Sequence, residues 1–249
     1  MIYFTSFGSD IHYESLSYRL LKELSASYPK SFWRLFSAQD LPPSYRRYAA
    51  LYPRGFGYWM WKPLIVRRTL DLMADGDVML YADGRCGMAE PGKPVAWFDA
   101  FLADPSLDVA AWQQHYIEAQ WTSQDLLSAL VPGEAGDIAA TGQYSAGFHA
   151  WRAGERSRKF AADWLGFMTT HPHLCRDEPS VLPNHRDFRE NRHDQSVFSL
   201  LLKLQARQGR ITLLTLDQET VETGNLRTHR HSHPHGRGRA ATGGTRPKP

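Results

Sequence analysis

The stretch Gly55-Phe-Gly-Tyr-Trp-Met-Trp-Lys-Pro63, followed by Asp77-Val-Met-Leu-Tyr-Ala-Asp-Gly84, decides the fold. Pro63 suits the first turn of a helix, where its missing N–H leaves nothing unpaired, and Leu64, Ile65, Arg67, Arg68, Thr69, Leu70 and Leu72 continue that helix. Asp75-Gly76 is a turn signal that ends it. Asp77 to Tyr81 then reads as a compact buried strand with Asp83 and Gly84 at its carboxyl end. In an α/β sheet that edge is where ligands bind, and Gly84, lacking a Cβ, lets a ligand approach the backbone closely.

Working toward the N-terminus, Ile2 to Phe7 reads as a first buried strand, and Gly8-Ser9-Asp10 leads out of it into a loop. Tyr13 to Tyr28 carries Leu16, Leu20, Leu21 and Leu24 on one helical face, and Pro29 stops it. Phe32-Trp-Arg-Leu-Phe36 is a second strand, so the chain opens β-α-β and predicts a parallel sheet with right-handed crossovers. Pro42-Pro43 marks a turn before a short helix over Ser44 to Leu51.

Toward the C-terminus the spacing predicts a short helix over Pro94 to Leu102 and a segment from Val109 to Tyr116 that periodicity assigns equally to strand or helix. Ser123 to Val131 is amphipathic, with Thr122 or Ser123 as its cap. Gly142 to Trp151 is punctuated by glycine and reads as a loop entering a strand, ahead of a helix from about Ser157 to Thr170. A long polar connection from Cys175 to Glu190 ends at Asn191-Arg-His-Asp-Gln-Ser196. Asp194 and Gln195 then fall at the start of a hydrophobic helix, Val197 to Gln205, and Ile211 to Leu216 is a last strand. These signals predict a single α/β domain over residues 1–221, with a mostly parallel central sheet flanked by helices. Residues 222–249 form a basic tail rich in His, Gly and Pro, with no packing surface of its own.

The chain has 249 residues, 42% of them hydrophobic and 22% charged, enough for one substantial core. Its formal charge of +3 is concentrated from Arg227 onward, where the sequence has no acidic residue. The body is slightly acidic without that segment, which argues against a nucleic-acid partner. Cys86 and Cys175 have no metal-ligand spacing and do not define a disulfide framework. No stretch of 18 apolar residues occurs, and the N-terminus lacks the basic head and apolar run of a signal peptide, so the expected location is cytoplasmic. The basic tail suggests peripheral contact with an anionic membrane face, and His229 to His235 suits incidental transition-metal binding.

Three motifs in order, Gly55 to Pro63, Tyr81-Ala-Asp-Gly84 and Asn191 to Ser196, resemble a family of small bacterial glycosyltransferases of the GT-A type associated with surface-polysaccharide synthesis. The likeness spans about residues 1–216. It implies a single GT-A-like domain that moves a sugar from a nucleoside diphosphate sugar to a hydroxyl of a glycan or lipid-linked acceptor. It also implies Mn²⁺ or Mg²⁺ held by an Asp-x-Asp motif. Asp83 matches the first Asp of that motif, but Arg85 stands where the second belongs. Two readings follow: Asp83 holds a metal with partners elsewhere, among them His193, or Arg85 neutralises the diphosphate directly. The resemblance places Asp83 and Asp194 as catalytic. It sets the donor against Phe7, Asp10, Trp59, Lys62, Arg67, Ala82, Gly84, Arg85, Gly147 and Gln195.

Each residue also has a plain structural reading. Asp83-Gly84 is an ordinary turn, Asp194 a helix cap and Asp10 a loop cap; Trp59 and Trp61 are packing aromatics, Arg67 and Arg68 a solvated helix face, and His149 a satisfied structural histidine. The Gly-x-Gly-x-x-Gly, P-loop and Gly-x-Ser-x-Gly patterns are absent, which disfavours dehydrogenase, P-loop and serine-hydrolase chemistry. The competing reading is a noncatalytic nucleotide-sugar or carbohydrate-binding protein of the same fold, motivated by Arg85. A metallohydrolase using Asp83, His193 and Asp194 is a further alternative.

Overall fold

A computed structural model describes residues 1–133 and 135–228. In chain order the elements are β1 (Ile2–Gly8), α1 (Ile11–Ser27), β2 (Ser31–Ser37), α2 (Pro43–Leu51), the single turn α3 (Gly55–Tyr58), α4 (Trp61–Leu72), β3 (Val78–Ala82) and β4 (Cys86–Met88). There follow α5 (Ala96–Ala103), β5 (Val109–Ile117), α6 (Glu118–Trp121), α7 (Gln124–Leu130), α8 (Ala135–Ala139), β6 (Gly142–Arg152) and α9 (Glu155–Thr170). The last are α10 (His193–Arg207), β7 (Leu213–Leu216), α11 (Gln218–Thr223) and β8 (Leu226–Thr228).

Six strands form one sheet in the order β2-β1-β3-β6-β5-β7, and β4 and β8 form a separate antiparallel pair. β1 is parallel to both β2 and β3, and β5 is parallel to β7. β6 runs antiparallel to both of its neighbours, so it alone opposes the common direction. This is the expected mostly parallel sheet flanked by helices. The segment 109–117, which periodicity left open, is strand.

The strand alternation sorts the core into two faces. Met79 and Tyr81 of β3 face one cluster with Ile65 of α4, Trp164 of α9 and Phe198 of α10. Val78, Leu80 and Ala82 face the other, with Leu20 and Leu24 of α1 and Phe98 of α5. β3 is buried on both faces because helices cover each of them, which is why its sequence reads as an unbroken apolar run.

Two expectations need correction. Gly142 to Trp151 is not a loop entering a strand but a strand throughout, β6. Its polar start is satisfied from other elements: Gln143 donates to Glu118 and Ser196, and Tyr144 N–H donates to Ser199 Oγ. Those tertiary bonds let polar residues occupy a central strand. The expected tail boundary at residue 222 falls inside α11, and Leu226 of β8 is fully buried against β4. The folded body therefore extends at least to Thr228; the remainder of the expected tail, with its histidine run, lies outside the described residues. Among the described residues no helix is long and apolar enough to cross a membrane.

Candidate functional site

The Gly55 motif folds as a left-handed turn. Gly55, Phe56, Gly57, Tyr58 and Trp59 have φ of 56°, 52°, 85°, 53° and 56°. Tyr58 N–H donates to Arg54 C=O at 2.8 Å and Trp59 N–H to Gly55 C=O at 3.1 Å, the bonding of one helical turn of inverted hand. Each non-glycine residue held there costs roughly 1–2 kcal/mol. The surroundings over-determine it: Tyr45 Oη donates to the Phe56 and Gly57 carbonyls at 3.2 and 3.3 Å, and Trp61 Nε1 donates to the Gly55 carbonyl at 3.0 Å. A Cβ on Gly55 would lie 2.3 Å from the Trp59 ring. The turn feeds α4 so that Lys62, in its first turn, points under the carboxyl edge of β3.

Lys62 is the centre of the site. Its Nζ lies 3.2 Å from Asp83 Oδ1, 3.0 Å from Asp194 Oδ2 and 3.0 Å from the Ala146 carbonyl it donates to. Lys62 and Asp194 are buried, while Asp83 keeps 33% of its side chain exposed. Burial opposes the lysine's charge, and the two carboxylates more than offset it, leaving its pKa above the usual value. Burial raises Asp194 to about 6, with Lys62 holding it back from a larger rise. Its contact with Lys62 is an ion pair rather than a well-directed hydrogen bond. Tyr81 donates its hydroxyl to Asp83, and burial first, then Asp83, keeps that phenol protonated. His149 stacks on Tyr81 and accepts from Trp151 Nε1; burial, and secondarily Lys62, holds it neutral.

These groups lie in a cleft of about 750 Å³ whose lining includes Phe7, Asp10, Trp59, Lys62, Asp83, Gly84, Arg85, Gly147, His193, Asp194 and Gln195. Most of the sequence-selected residues are thus brought together, in several cases with structural duties as well. Asp10 caps α1, accepting from the His12 and Tyr13 N–H groups at 3.0 and 3.1 Å. Phe7 stacks on Trp61 with ring centroids 4.0 Å apart. Trp59 stacks on His193 at 5.3 Å. Gly84 is glycine for packing, since a Cβ there would lie 2.3 Å from Ser17 Oγ of α1. Arg85 donates to Tyr13 Oη at 2.6 Å. The side-chain oxygen of Gln195 accepts from Ala146 N–H, and its amide donates to Gln143 Oε1.

Two selected residues do not line the cleft. Arg67 is exposed on the outer face of α4, paired with Asp71 at 3.6 Å. Ala82 is buried beneath the edge, its carbonyl accepting from Ser6 Oγ, and acts only by delivering Asp83. Tyr13, Arg54, Glu190, Arg192 and Thr228 line the cleft without having been selected. Arg192 was legible as the neighbour of the His193-Asp194-Gln195 motif; Thr228 lay in the segment read as tail.

The residues present do not fit a divalent ion. Among the described residues no group of three His, Cys, Asp or Glu could hold one. Asp83 and Asp194 both contact the Lys62 ammonium, which puts a positive charge where an ion sharing them would have to sit. His193, expected as a ligand, donates from Nδ1 to the Cys175 carbonyl at 2.9 Å, and its Nε2 lies 3.6 Å from Asp177 Oδ1. The ring stacks on Trp59, and its Nε2, on the Asp177 side, has no hydrogen-bond partner among the described residues.

No protein-family model matches the chain, and no curated protein matches it. Solved structures with some likeness include a glycosyltransferase involved in glycosylation of the major capsid of PBCV-1. It is 12% identical, with 87% of this chain and 81% of that one covered and a TM-score of 0.48. The galactosyltransferase LgtC, in complex with donor and acceptor sugar analogs, is 13% identical over 86% of this chain and 73% of that one, with a TM-score of 0.44. Core-mannan synthase A from Aspergillus fumigatus, in an Mn/GDP form, is 10% identical over 86% and 72%, with a TM-score of 0.44. Likeness of this degree assigns no residue a role.

Proposed function

We propose that the protein is a GT-A-type glycosyltransferase that moves a sugar from a nucleoside diphosphate sugar to a hydroxyl of a glycan or lipid-linked saccharide. The observation that carries this reading is the buried Lys62 clamped between Asp83 and Asp194 at the carboxyl edge of β3, in a cleft of about 750 Å³. In a doubly wound sheet that edge, between strands whose connections diverge, is the site for a nucleotide, and β1 with β3 forms such a point here.

In this reading Asp194 takes the proton of the acceptor hydroxyl while the hydroxyl oxygen bonds to the anomeric carbon. The bond from that carbon to the diphosphate breaks, and the leaving oxygen takes the electron pair. Lys62 supplies positive charge beside the departing group, and Arg85 lines the same cleft. A raised Asp194 is suited to the base role because it is more basic than a solvated carboxylate yet ionised at pH 7. The Mn/GDP form of core-mannan synthase A is the motive for testing Mn²⁺ or Mg²⁺ here, although the donor set does not fit such an ion and no step above uses one. Peripheral attachment to a cytoplasmic membrane face through residues 229–249 belongs to the same proposal.

The test is calorimetric titration with a panel of nucleoside diphosphates, with and without chelator, followed by acceptor-dependent release of nucleoside diphosphate from the matching sugar donor. Binding that survives chelation, with release abolished in Asp194→Asn, supports the proposal. Binding without any release would favour the noncatalytic reading, and no binding to any nucleotide would remove both.

A further inference from the structure

The cleft has a direction. Ser9, Asp10 and Tyr13 follow β1, Asp83 to Arg85 follow β3, and Gly147 belongs to β6. Arg192 lies on the β5 side, donating to Gln114 Oε1 at 3.2 Å. From β1 to β5 the sheet order spans three strand spacings, roughly 14 Å. The nucleotide belongs at the β1/β3 divergence, and Lys62, Asp83 and Asp194 hold the middle. The β5 end is therefore left for what the sugar is transferred to.

The chemistry of that end is cationic. The Arg192 guanidinium sits over the Trp121 ring at 3.7 Å, and Arg189 lies over the same ring at 5.7 Å. Glu190, between them in sequence, is engaged by Arg54 at 3.3 Å. Among the described residues, no carboxylate lies within ion-pair distance of either arginine. Arg192 is partly desolvated, and its side chain has the Gln114 oxygen as its hydrogen-bond acceptor among the described residues, so most of its five N–H donors remain for a ligand. A guanidinium stacked on an indole and facing a cleft is preorganised for a planar fork on an oxyanion.

We propose that Arg192 is an oxyanion subsite for a phosphate or carboxylate carried by the acceptor saccharide. The assignment to the acceptor rests on the glycosyltransferase reading above; the oxyanion subsite itself does not. An acceptor seated there is anchored by its charge on Arg192, with its nucleophilic hydroxyl directed toward Asp194.

The experiment is binding of inorganic phosphate, glucose 1-phosphate, glucuronate and glucose to the full chain, measured by calorimetry with and without a saturating nucleoside diphosphate. Wild type, Arg192→Gln and Arg192→Lys are compared. Wild type is expected to bind phosphate and at least one charged sugar with the nucleotide present, and to bind glucose far more weakly. Arg192→Gln loses about ten- to a hundredfold in affinity for the charged probes, Arg192→Lys loses less, and nucleotide affinity stays within about twofold. Preference for glucose 1-phosphate or for glucuronate identifies the source of the oxyanion. The proposal is overturned if nucleotide abolishes phosphate binding, if glucose binds as well as its charged forms, or if a folded Arg192→Gln matches wild type. Should Arg192→Gln not fold, a folded Arg192→Lys that keeps wild-type affinity for every charged probe overturns the proposal. Phosphate binding that depends on Arg192 in a protein that binds no nucleotide would leave the subsite standing and remove the glycosyltransferase reading.

Discussion

Replacing Lys62 by Met tests the centre of the site without assuming its function. The substitution keeps the buried hydrocarbon stem and removes the ammonium, leaving Asp194 buried with no cation beside it. Breaking a buried ion pair in this way costs about 3–5 kcal/mol when the remaining group is charged. Asp194 already titrates near 6 because of burial, and Lys62 is what restrains it, so the variant's Asp194 must titrate higher. Its folded pKa exceeds the unfolded value in both proteins. Stability is therefore fully present below about 4 and is lost as pH rises, until the folded carboxyl ionises. Wild type stops losing at about pH 6, whereas the variant continues to lose about 1.4 kcal/mol per pH unit until its own higher pKa is reached. Burial, the first cause of the lowered His149 pKa, is common to both proteins; the smaller Lys62 contribution is lost in the variant, which relieves it toward acid pH and narrows the gap there in the same sense. Urea denaturation at half-unit intervals from pH 5 to pH 8.5 should show a gap between the proteins that is smallest at pH 5 and widens above pH 6. A gap that stays constant across the range would refute the claim that Lys62 is there to compensate Asp194.

Other outcomes follow from the same geometry. Turnover should fall about tenfold per pH unit below about 6 as Asp194 protonates, and Asp194→Asn should lose about a hundred- to ten-thousandfold in rate with nucleotide affinity little changed, both read in steady-state assays. Gly209→Ala, left-handed at φ 66° in open space, should cost roughly 1 kcal/mol by denaturation, whereas Gly55→Ala adds the collision with Trp59 and should cost about 1–3 kcal/mol more. Compared with a chain ending at residue 228, truncation after residue 221 removes β8 with its buried Leu226 and should cost about 2–3 kcal/mol. Cys86 and Cys175 are buried, with burial pushing the Cys175 thiol up to about 12, so both should resist a thiol reagent until the protein unfolds.

The fold was legible where the apolar pattern reports burial directly. β3 reads as an uninterrupted apolar run because helices cover both of its faces, and α1 shows its inward leucines at helical spacing. β6 was not legible, because its buried Gln143, Ser145 and His149 look like loop residues; Gln143 finds its partners on α6 and α10, while Ser145 and His149 bond to Gly147 and Trp151 within the strand. The left-handed turn was hidden for a related reason. Gly55 and Gly57 announce positive φ, but nothing local says that Phe56, Tyr58 and Trp59 share it; that is imposed by Tyr45, Trp61 and the His193 stack.

The site residues divide along the same line. Arg67 could have been set aside from sequence alone: five residues beyond Lys62 it stands about 140° around the helix, so both cannot face the cleft, and the buried Ile65 and Val66 show which side is inward. Lys62 is the opposite case. The resemblance set it against the donor, yet the defining contact joins it to Asp83 and to Asp194, on elements far apart in the chain. Arg85 in place of a second acidic residue left two readings open, a metal held by Asp83 with partners elsewhere or direct neutralisation of a diphosphate. With an ammonium already held between Asp83 and Asp194, a third carboxylate there would have added negative charge to a pair that one lysine already balances only in part.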